Sequence, residues 1–265
     1  MIQEISLAFS KAKSEKRALL IGFITAGFPT IEKSLEVAKA MVAGGVDLIE
    51  VGFPYSDPVM DGPVIQRAGE IALANGAKAS DVLEVVSGVS KLEVPVVVMT
   101  YWNPIEKYGV NSFAQDLKAA GGSGLITPDL TIEEAEEWRG VSQEKDLAKI
   151  FVVAPSSTEE RLPRVIENCS GFVYAASLMG VTGARNVVSS EARSLVDRVK
   201  KVTKLPVAVG LGVSNGEQAR AVAQFADGVI VGSAFLKIIQ EESNFETALT
   251  RIRELAAELR EGIKH

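Results

Sequence analysis

The sequence predicts an α/β fold in which eight parallel strands, each followed by a helix, close into a barrel after one extra N-terminal helix. Short apolar runs that end in glycine or proline recur along the chain, and a stretch with helical spacing follows each run. These runs are continuous rather than alternating, which is typical of strands buried on both faces of a parallel sheet. Eight such units fit a (β/α)₈ TIM barrel better than an open sheet, and we predict a single domain over residues 1–265.

The chain begins with an amphipathic pattern from Ile2 to Arg17, which predicts a helix that closes the bottom of the barrel. The first strand is predicted at Leu19–Gly27, and Thr30 is expected to cap the helix that follows it. The remaining strands are predicted at Asp47–Gly52, Val94–Tyr101, Gly124–Pro128, Ile150–Pro155, Gly171–Ser177, Pro206–Gly210 and Gly228–Gly232.

Later helices carry the sequence pattern of a capping box, in which a serine or threonine is followed three residues later by glutamate. The patterns span Thr131–Glu134, Ser157–Glu160, Ser214–Glu217 and Ser243–Glu246. We expect a helix to begin at each of them, and no linker or low-complexity segment separates the units.

Composition excludes several classes of function. A net charge of -6 without a run of lysine or arginine argues against binding to nucleic acid or to an anionic membrane. Cys169 is the single cysteine, and the N-terminus shows neither a signal peptide nor a long apolar span, so we expect a cytoplasmic protein. The single histidine is His265, the last residue, so catalysis by imidazole is not expected and a carboxyl group is a better candidate.

The segment Asp47–Gln66 is where we expect the chemistry. Its apolar strand contains one carboxylate, Glu50, whose charge is costly to bury unless the group is protonated or paired. Asp61 stands just before Gly62 and Pro63, where proline suits the first turn of a helix. Both acids fall at the C-terminal ends of the strands, the active-site face of such barrels, so both are catalytic candidates. The alternatives are a hydrogen-bonded interior carboxylate for Glu50 and a helix cap for Asp61.

Glycine-rich segments follow the sixth, seventh and eighth predicted strands, at Gly180–Gly183, Gly210–Ser214 and Gly232–Phe235. Glycine lets backbone N–H groups approach an anion closely, and a helix that begins at Gly232 and Ser233 adds the positive end of its dipole. Barrels often bind phosphate after strands seven and eight. The segments therefore predict a phosphate site, although glycine also makes ordinary tight turns.

Other common chemistries lack the residues that they need. A Schiff base requires a lysine that projects from a strand, but Lys149 stands at the wrong end of strand five and Lys237 in a helix. No cluster of histidine or carboxylate residues predicts a metal site. Cys169 precedes strand six, away from the active face, and is interpreted as a buried bystander.

The whole chain resembles the alpha subunit of tryptophan synthase. The segments that carry this resemblance are Gly22–Gly27, Glu50–Gln66, Gly180–Gly183, Gly210–Val213 and Gly232–Ser233. The Glu50–Gln66 segment is the most specific of them, and the glycine turns support it. The resemblance implies a lyase that cleaves indole-3-glycerol phosphate by a retro-aldol reaction to indole and glyceraldehyde 3-phosphate, by carboxylate acid/base catalysis and without a cofactor.

The resemblance also assigns roles to individual residues. Glu50 gives a proton to indole C3 and accepts one from the substrate hydroxyl, while Asp61 accepts a hydrogen bond from the indole N–H. Thr182 contacts Asp61 when the loop after strand six closes over the substrate. The slot for the rings is assigned to Phe23, Ile65, Tyr101, Tyr174 and Leu211. The phosphate is assigned to Gly183, Gly212, Gly232 and Ser233.

A partner is implied as well. The resemblance implies pairing with a beta subunit in an alpha2-beta2 heterotetramer. In this family the beta subunit contains pyridoxal phosphate and receives indole through a tunnel. The surface for this partner would include Pro54–Pro58. The chain departs from the family at Leu178, where many members carry arginine, a difference that bears on closure of the strand-six loop.

Two other functions fit parts of the sequence. A phosphosugar isomerase or an indole-3-glycerol phosphate synthase would share the phosphate turns, but the synthase needs a lysine at a strand end. A non-catalytic regulatory subunit would bind a partner enzyme without turnover, and the presence of both Glu50 and Asp61 speaks against it.

Overall fold

Parallel strands close into a barrel in which each strand pairs with its neighbours in chain order and β8 pairs with β1. The structure is a computed structural model and describes residues 1–176, 185–210 and 212–265, with the backbone alone for residues 185–189. The strands in these ranges are β1 (Leu19–Thr25), β2 (Leu48–Gly52), β3 (Val96–Met99), β4 (Gly124–Thr127), β5 (Ala148–Val153), β6 (Val173–Ala176), β7 (Val207–Gly210) and β8 (Gly228–Val231). The predicted (β/α)₈ TIM barrel is confirmed.

Helices form the outer layer of the barrel. They are α1 (Ile2–Ser14), α2 (Ile31–Ala43), α3 (Pro63–Ala74), α4 (Ala79–Ser90), α5 (Trp102–Tyr108), α6 (Val110–Ala119), α7 (Glu136–Lys145), α8 (Arg161–Ile166), α9 (Arg185–Val202), α10 (Gly216–Ala223), α11 (Ser233–Glu241) and α12 (Phe245–Gly262). In α12, Ala248, Ile252, Ala256 and Leu259 recur at helical spacing and are buried where α12 packs against α2, α10 and α11. Across the described ranges, no helix is long and apolar enough to cross a membrane.

The strands are buried on both faces, which explains their continuous apolar runs. Side chains alternate along β1: Leu19 and Ile21 belong to the cluster inside the barrel, whereas Leu20 and Ile24 pack against the surrounding helices. Position along a strand therefore decides whether a side chain faces the barrel interior or the helical layer.

Some strand ends differ from the prediction. β3 ends at Met99, before the predicted Tyr101, because Tyr101 is already the N-cap residue of α5. β6 is shorter than predicted and begins at Val173, and β5 starts earlier, at Ala148. The chain turns out of the barrel sooner than an apolar run indicates, which places residues such as Thr100 in the loops.

The N-terminal helix closes the bottom of the barrel, where the strands begin. Ile5, Phe9 and Ala12 of α1 are buried and belong to the same interior cluster as the inward residues of the strands. The Phe9 ring centroid lies 5.7 Å from that of Phe172, just before β6. The predicted helix is confirmed, although it ends at Ser14.

The helix caps differ in part from the prediction. Thr30 caps α2 as predicted, because its side chain accepts a hydrogen bond from a backbone N–H of the first turn. At α10 and α12 the predicted caps Ser214 and Ser243 are wrong by one position, since Asn215 and Asn244 accept the equivalent bonds. Asparagine and serine cap helices about equally well, so the sequence alone did not decide between adjacent candidates.

The capping patterns before α7 and α8 form turns instead. The Thr131 hydroxyl donates to the Glu134 carboxylate at 2.9 Å, but α7 begins only at Glu136. Before α8, the Thr158 hydroxyl accepts from the Arg161 N–H at 3.2 Å, and Ser157 caps no helix. Both helix starts were therefore predicted too early.

An ion-pair network joins the two ends of the chain below the barrel. The Arg17 guanidinium, 2% exposed, donates to both oxygens of the Asp47 carboxylate at 2.7 and 2.9 Å. Arg260 of α12 donates to the same carboxylate at 2.7 Å, and the Leu20 N–H donates to it at 2.9 Å. Asp47 thereby ties the first strand to the last helix.

We propose that residues 1–265 form one domain, and we predict that Asp47→Asn destabilises all of it. Removing one partner leaves two arginines imperfectly paired, so we expect the free energy of unfolding to fall by about 3 kcal/mol. Urea denaturation followed by circular dichroism measures the loss. As a control, Glu144→Gln removes an exposed carboxylate that pairs with Lys145, and its midpoint should not move. An unchanged midpoint for Asp47→Asn would contradict the stabilising role, and two separate transitions would contradict the single domain.

Candidate active site

Glu50 points into the barrel from β2. Leu48 belongs to the interior cluster, and the alternation of side chains along the strand places Glu50 on the same face. In the sheet, Glu50 is paired with Phe23 of β1 and Val97 of β3. Glu50 is 1% exposed, and among the described residues its Oε2 has no hydrogen-bond partner. The alternative of a carboxylate satisfied by hydrogen bonds is therefore not supported.

The surroundings of Glu50 favour its neutral form. Its pKa is raised to about 8, first because burial removes water from the carboxylate and second because the charge of Asp61 is close. At neutral pH most of the Glu50 carboxyl groups are therefore protonated. A carboxyl with such a pKa can both give and regain a proton near neutral pH.

Asp61 lies in the loop between β2 and α3 and faces the same cavity as Glu50. Helix α3 has Gly62 as its N-cap and no side-chain capping bond, so the interpretation of Asp61 as a helix cap is wrong. The Asp61 backbone carbonyl accepts a hydrogen bond from Gln66 Nε2 at 2.8 Å, which fixes the loop. Burial raises the pKa of the Asp61 carboxyl, and hydrogen bonding by Tyr101 opposes that rise.

A cavity of about 540 Å³ opens at the C-terminal ends of the strands. It brings together these predicted site residues: Phe23, Glu50, Asp61, Ile65, Tyr174, Gly212, Gly232 and Ser233. Tyr101 lines an adjoining pocket that shares Asp61 with the cavity. The predicted site residues Thr182, Gly183 and Leu211, and also Leu178, lie outside the described residues.

Tyr174 projects into this cavity from β6 and requires a residue without a side chain beside it. A Cβ atom on Gly210 would lie 2.8 Å from the Tyr174 hydroxyl oxygen, too close for any other residue type without movement. Burial raises the pKa of Tyr174 well above its usual value, and the charges of Glu50 and Asp61 add to the effect. Tyr174 is therefore an uncharged wall of the cavity.

Glycine turns after β7 and β8 form the part of the cavity suited to an anion. Helix α11 begins at Ser233 with Gly232 as its N-cap, so the positive end of its dipole borders the cavity. Gly212 has a φ of 67°, a conformation that favours glycine. No lysine or arginine in the described part of the chain lines this cavity, so backbone N–H groups are the available anion donors.

Sequence reasoning missed several residues of the cavity because most of them are ordinary apolar residues. They are Met60, Met99, Val152, Ala154, Pro155, Ser156, Ala176, Glu191 and Ile230. Val152 and Ile230 pack with the interior cluster. The alternation of side chains along β5 and β8 places them on the inward face, and this pattern could have identified them from the sequence. Glu191 comes from α9, and no sequence pattern marks it.

Lys149 and Cys169 lie away from the cavity. Lys149 is the sole lysine of the described strands, and its neighbours Ala148 and Ile150 belong to the interior cluster, so Lys149 points outward. Burial raises the pKa of the Cys169 thiol to about 12, which keeps it protonated. Among the residues that the structure describes, no group of three or more His, Cys, Asp or Glu side chains could hold a metal ion.

The chain is similar over nearly its full length to proteins of one family. The family model for the tryptophan synthase alpha chain matches residues 9–264. The tryptophan synthase alpha chain of Salinispora arenicola is 56% identical over 99% of this chain and 98% of that protein. For the alpha chain of Thermobifida fusca the identity is 56% over 96% of both proteins. A solved structure of Mycobacterium tuberculosis tryptophan synthase has a TM-score of 0.91 and 50% identity, with 98% of each chain covered. The chain therefore belongs to the tryptophan synthase alpha chain family.

Proposed function

We propose that Glu50 and Asp61 carry out the reaction of this family in the cavity at the barrel mouth. The chain is a carbon–carbon lyase that cleaves indole-3-glycerol phosphate to indole and glyceraldehyde 3-phosphate. One observation supports the roles of the two acids above all. Glu50, which is protonated and whose Oε2 has no hydrogen-bond partner among the described residues, shares a cavity with Asp61 and with the N-terminus of α11. This arrangement suits a substrate with an aromatic ring at one end and a phosphate at the other.

Glu50 moves the protons in this proposal. Its carboxyl gives a proton to C3 of the indole ring, which becomes a positively charged indolenine. The Glu50 carboxylate then takes the proton of the hydroxyl group on the adjacent carbon of the glycerol chain. The bond between that carbon and C3 breaks, its electrons restore the aromatic ring, and the carbon becomes the aldehyde of glyceraldehyde 3-phosphate. Glu50 ends the cycle protonated, as its raised pKa favours.

Asp61 stabilises the charge that the first proton transfer creates. Its carboxylate accepts a hydrogen bond from the indole N–H, where positive charge develops. Asp61 must therefore be ionised while Glu50 is protonated. Their surroundings support this division. Burial raises the pKa of both acids, but Glu50 Oε2 has no hydrogen-bond partner among the described residues, whereas hydrogen bonding by Tyr101 opposes the rise at Asp61.

The remaining cavity residues hold the two ends of the substrate. The ring would lie against Phe23, Ile65 and Tyr174, and the phosphate would accept hydrogen bonds around Gly212, Gly232 and Ser233. Several predicted contacts remain predictions because the residues lie outside the described ranges: Leu211 at the ring, Gly183 at the phosphate, and Thr182 and Leu178 in loop closure.

We infer that the chain works in the cytoplasm with a tryptophan synthase beta subunit, in an alpha2-beta2 complex. Val59 and Met60, in the loop after β2, are 80% and 41% exposed, and such apolar side chains suit a protein interface. Pyridoxal phosphate is expected in that partner, because this cofactor binds as a Schiff base to lysine. The described strands carry Lys149 alone, which points away from the cavity, so we propose that this chain needs no cofactor.

Glu50→Gln should reduce kcat for indole formation by about 10³-fold, because the amide keeps the shape but has no acidic proton. Affinity for glycerol phosphate should stay near that of the wild type. The rate is measured on the isolated chain and on a mixture with a beta subunit, which we expect to raise the wild-type rate. Glu144→Gln should retain full activity, and wild-type turnover by Glu50→Gln would refute the role of Glu50.

In the wild type, the rate of indole formation should fall as the pH rises through about 8, where Glu50 loses its proton.

Asp61→Asn should lower kcat by about 10²-fold, because the ring loses the negative charge that stabilises its positive charge. KM should change little if the interaction forms mainly in the transition state. Steady-state rates of indole release measure both constants. An unchanged kcat would leave Asp61 without a catalytic role, since the structure also gives it no capping bond.

Gly232→Leu should weaken the binding of glycerol phosphate by at least about tenfold, because a side chain there fills the anion-binding turn. A Cβ atom on Gly232 would already lie 3.1 Å from the Phe23 Cβ. Calorimetric titration measures the affinity. The matched control is Gly140→Leu on the outer helix α7, where a Cβ meets nothing within 4 Å. Equal affinities in the two variants would place the phosphate elsewhere.

A further inference from the structure

We propose that Tyr101 is a positioning residue for the cleavage reaction. Its hydroxyl fixes the loop that carries Asp61 and orients the Asp61 carboxylate toward the substrate ring. The inference rests on the role proposed above for Asp61, and it gives Tyr101 a task other than that of a wall of the ring slot.

The barrel holds Tyr101 rigidly. Tyr101 is the N-cap residue of α5, directly after β3, and is 5% exposed. The next residue, Trp102, donates its backbone N–H to both carboxylate oxygens of Asp129 at 2.9 and 3.1 Å, which fixes the turn. The Tyr101 ring stacks on that of Tyr55 with centroids 5.1 Å apart and an interplanar angle of 28°. The hydroxyl therefore has a defined position.

That hydroxyl fastens the loop between β2 and α3. Its oxygen accepts a hydrogen bond from the Met60 N–H at 2.9 Å, immediately before Asp61 in the chain. The hydroxyl still has its own proton to donate. Because Met60 and Asp61 are adjacent in the chain, the hydroxyl that holds the Met60 N–H also fixes the backbone from which the Asp61 side chain projects into the cavity. Hydrogen bonding by Tyr101 also opposes the rise that burial causes in the pKa of the Asp61 carboxyl. The hydroxyl is thus tied to the loop directly beside its catalytic side chain.

The hydrogen bond from Met60 favours action of the Tyr101 hydroxyl through the loop. Asp61, the residue after Met60, lines both the large cavity and the pocket that Tyr101 lines. Phe23, Ile65 and Met99 line both as well, so the Tyr101 ring borders the same space as the substrate ring while its hydroxyl is bonded to the loop.

The charges nearby make this hydroxyl important. The other titratable groups around Asp61 and Tyr101 are Glu50 from β2, Tyr55 from the loop after β2, Tyr174 from β6, Glu191 from α9 and Asp129 after β4. None of these is a cation, and no lysine or arginine among the described side chains lines either pocket. Burial raises the pKa of Asp61, and Tyr101 opposes the rise. Among these neighbours, the Tyr101 hydroxyl therefore favours the ionised form of Asp61.

Tyr101→Phe keeps the ring and its stacking on Tyr55 but removes the hydroxyl. We expect kcat to fall by about tenfold, as for the loss of one hydrogen bond to a charged group, while KM stays unchanged. The acidic limb of the pH profile of kcat should move to higher pH, because without the Tyr101 hydroxyl the pKa of the Asp61 carboxyl rises further. The basic limb, which Glu50 sets, should stay in place.

A matched control tests whether the loss of any tyrosine hydroxyl bonded to a carboxylate lowers kcat. Tyr108→Phe also removes a hydroxyl that donates to a carboxylate, that of Asp116, at 2.7 Å. The Tyr108 ring likewise contacts an aromatic neighbour, Phe113, with centroids 5.6 Å apart, but it lines neither pocket. Tyr108→Phe should retain the wild-type kcat and pH profile.

A double-mutant cycle decides how Tyr101 acts. In an Asp61→Asn background, Tyr101→Phe should cost nothing further, because the group through which it acts has already been changed. A tenfold loss that persists in that background, or an acidic limb of the pH profile that does not move in Tyr101→Phe, would overturn the inference. If Asp61→Asn alone retains wild-type activity, the role of Asp61 fails and this inference fails with it. If Asp61→Asn loses activity and Tyr101→Phe does not, only the inference fails.

Discussion

The proposed site depends on one constraint, a carboxyl group buried inside an apolar barrel with no hydrogen-bond partner for its Oε2 among the described residues. Glu50 is buried among strands whose other inward residues are mainly apolar, and its pKa rises to about 8 because its charge is poorly solvated there. The closed barrel makes this possible, since β1 and β3 hold β2 in register and α1 covers the opposite end. Without that enclosure, water would reach the carboxyl and return its pKa toward the usual value.

The two ends of β2 show how the barrel divides stability from chemistry. At its start, Asp47 is surrounded by Arg17, Arg260 and the Leu20 N–H, which satisfy its carboxylate oxygens. Toward its end, Glu50 Oε2 has no hydrogen-bond partner in the described ranges. The satisfied acid joins the ends of the chain, and the unsatisfied acid is available for proton transfer. This agrees with the general division of such barrels into a stabilising lower face and a reactive upper face.

Among the described side chains, no lysine or arginine lines the proposed site, which combines an anion-binding region with two acids. In an acidic chain with a net charge of -6, the described donors suited to phosphate include backbone N–H groups near Gly212 and at the N-terminus of α11. These dipoles attract an anion without placing a full positive charge near Glu50 and Asp61. A lysine or arginine in the same cavity would favour the ionised form of Glu50 and so remove the proton that the reaction needs.

Local sequence patterns by themselves determined the barrel, its order of elements and the position of Glu50 on the second strand, because periodicity, glycine and proline act within a few residues. The family resemblance added the reaction. Only the tertiary structure decided that Asn215 rather than Ser214 caps α10, that Asp61 caps no helix, and that Tyr101 lies in the adjoining pocket. The two capping outcomes depend on how each loop packs, and the place of Tyr101 depends on how the strands close and bring residues far apart in the chain together. No local pattern contains either.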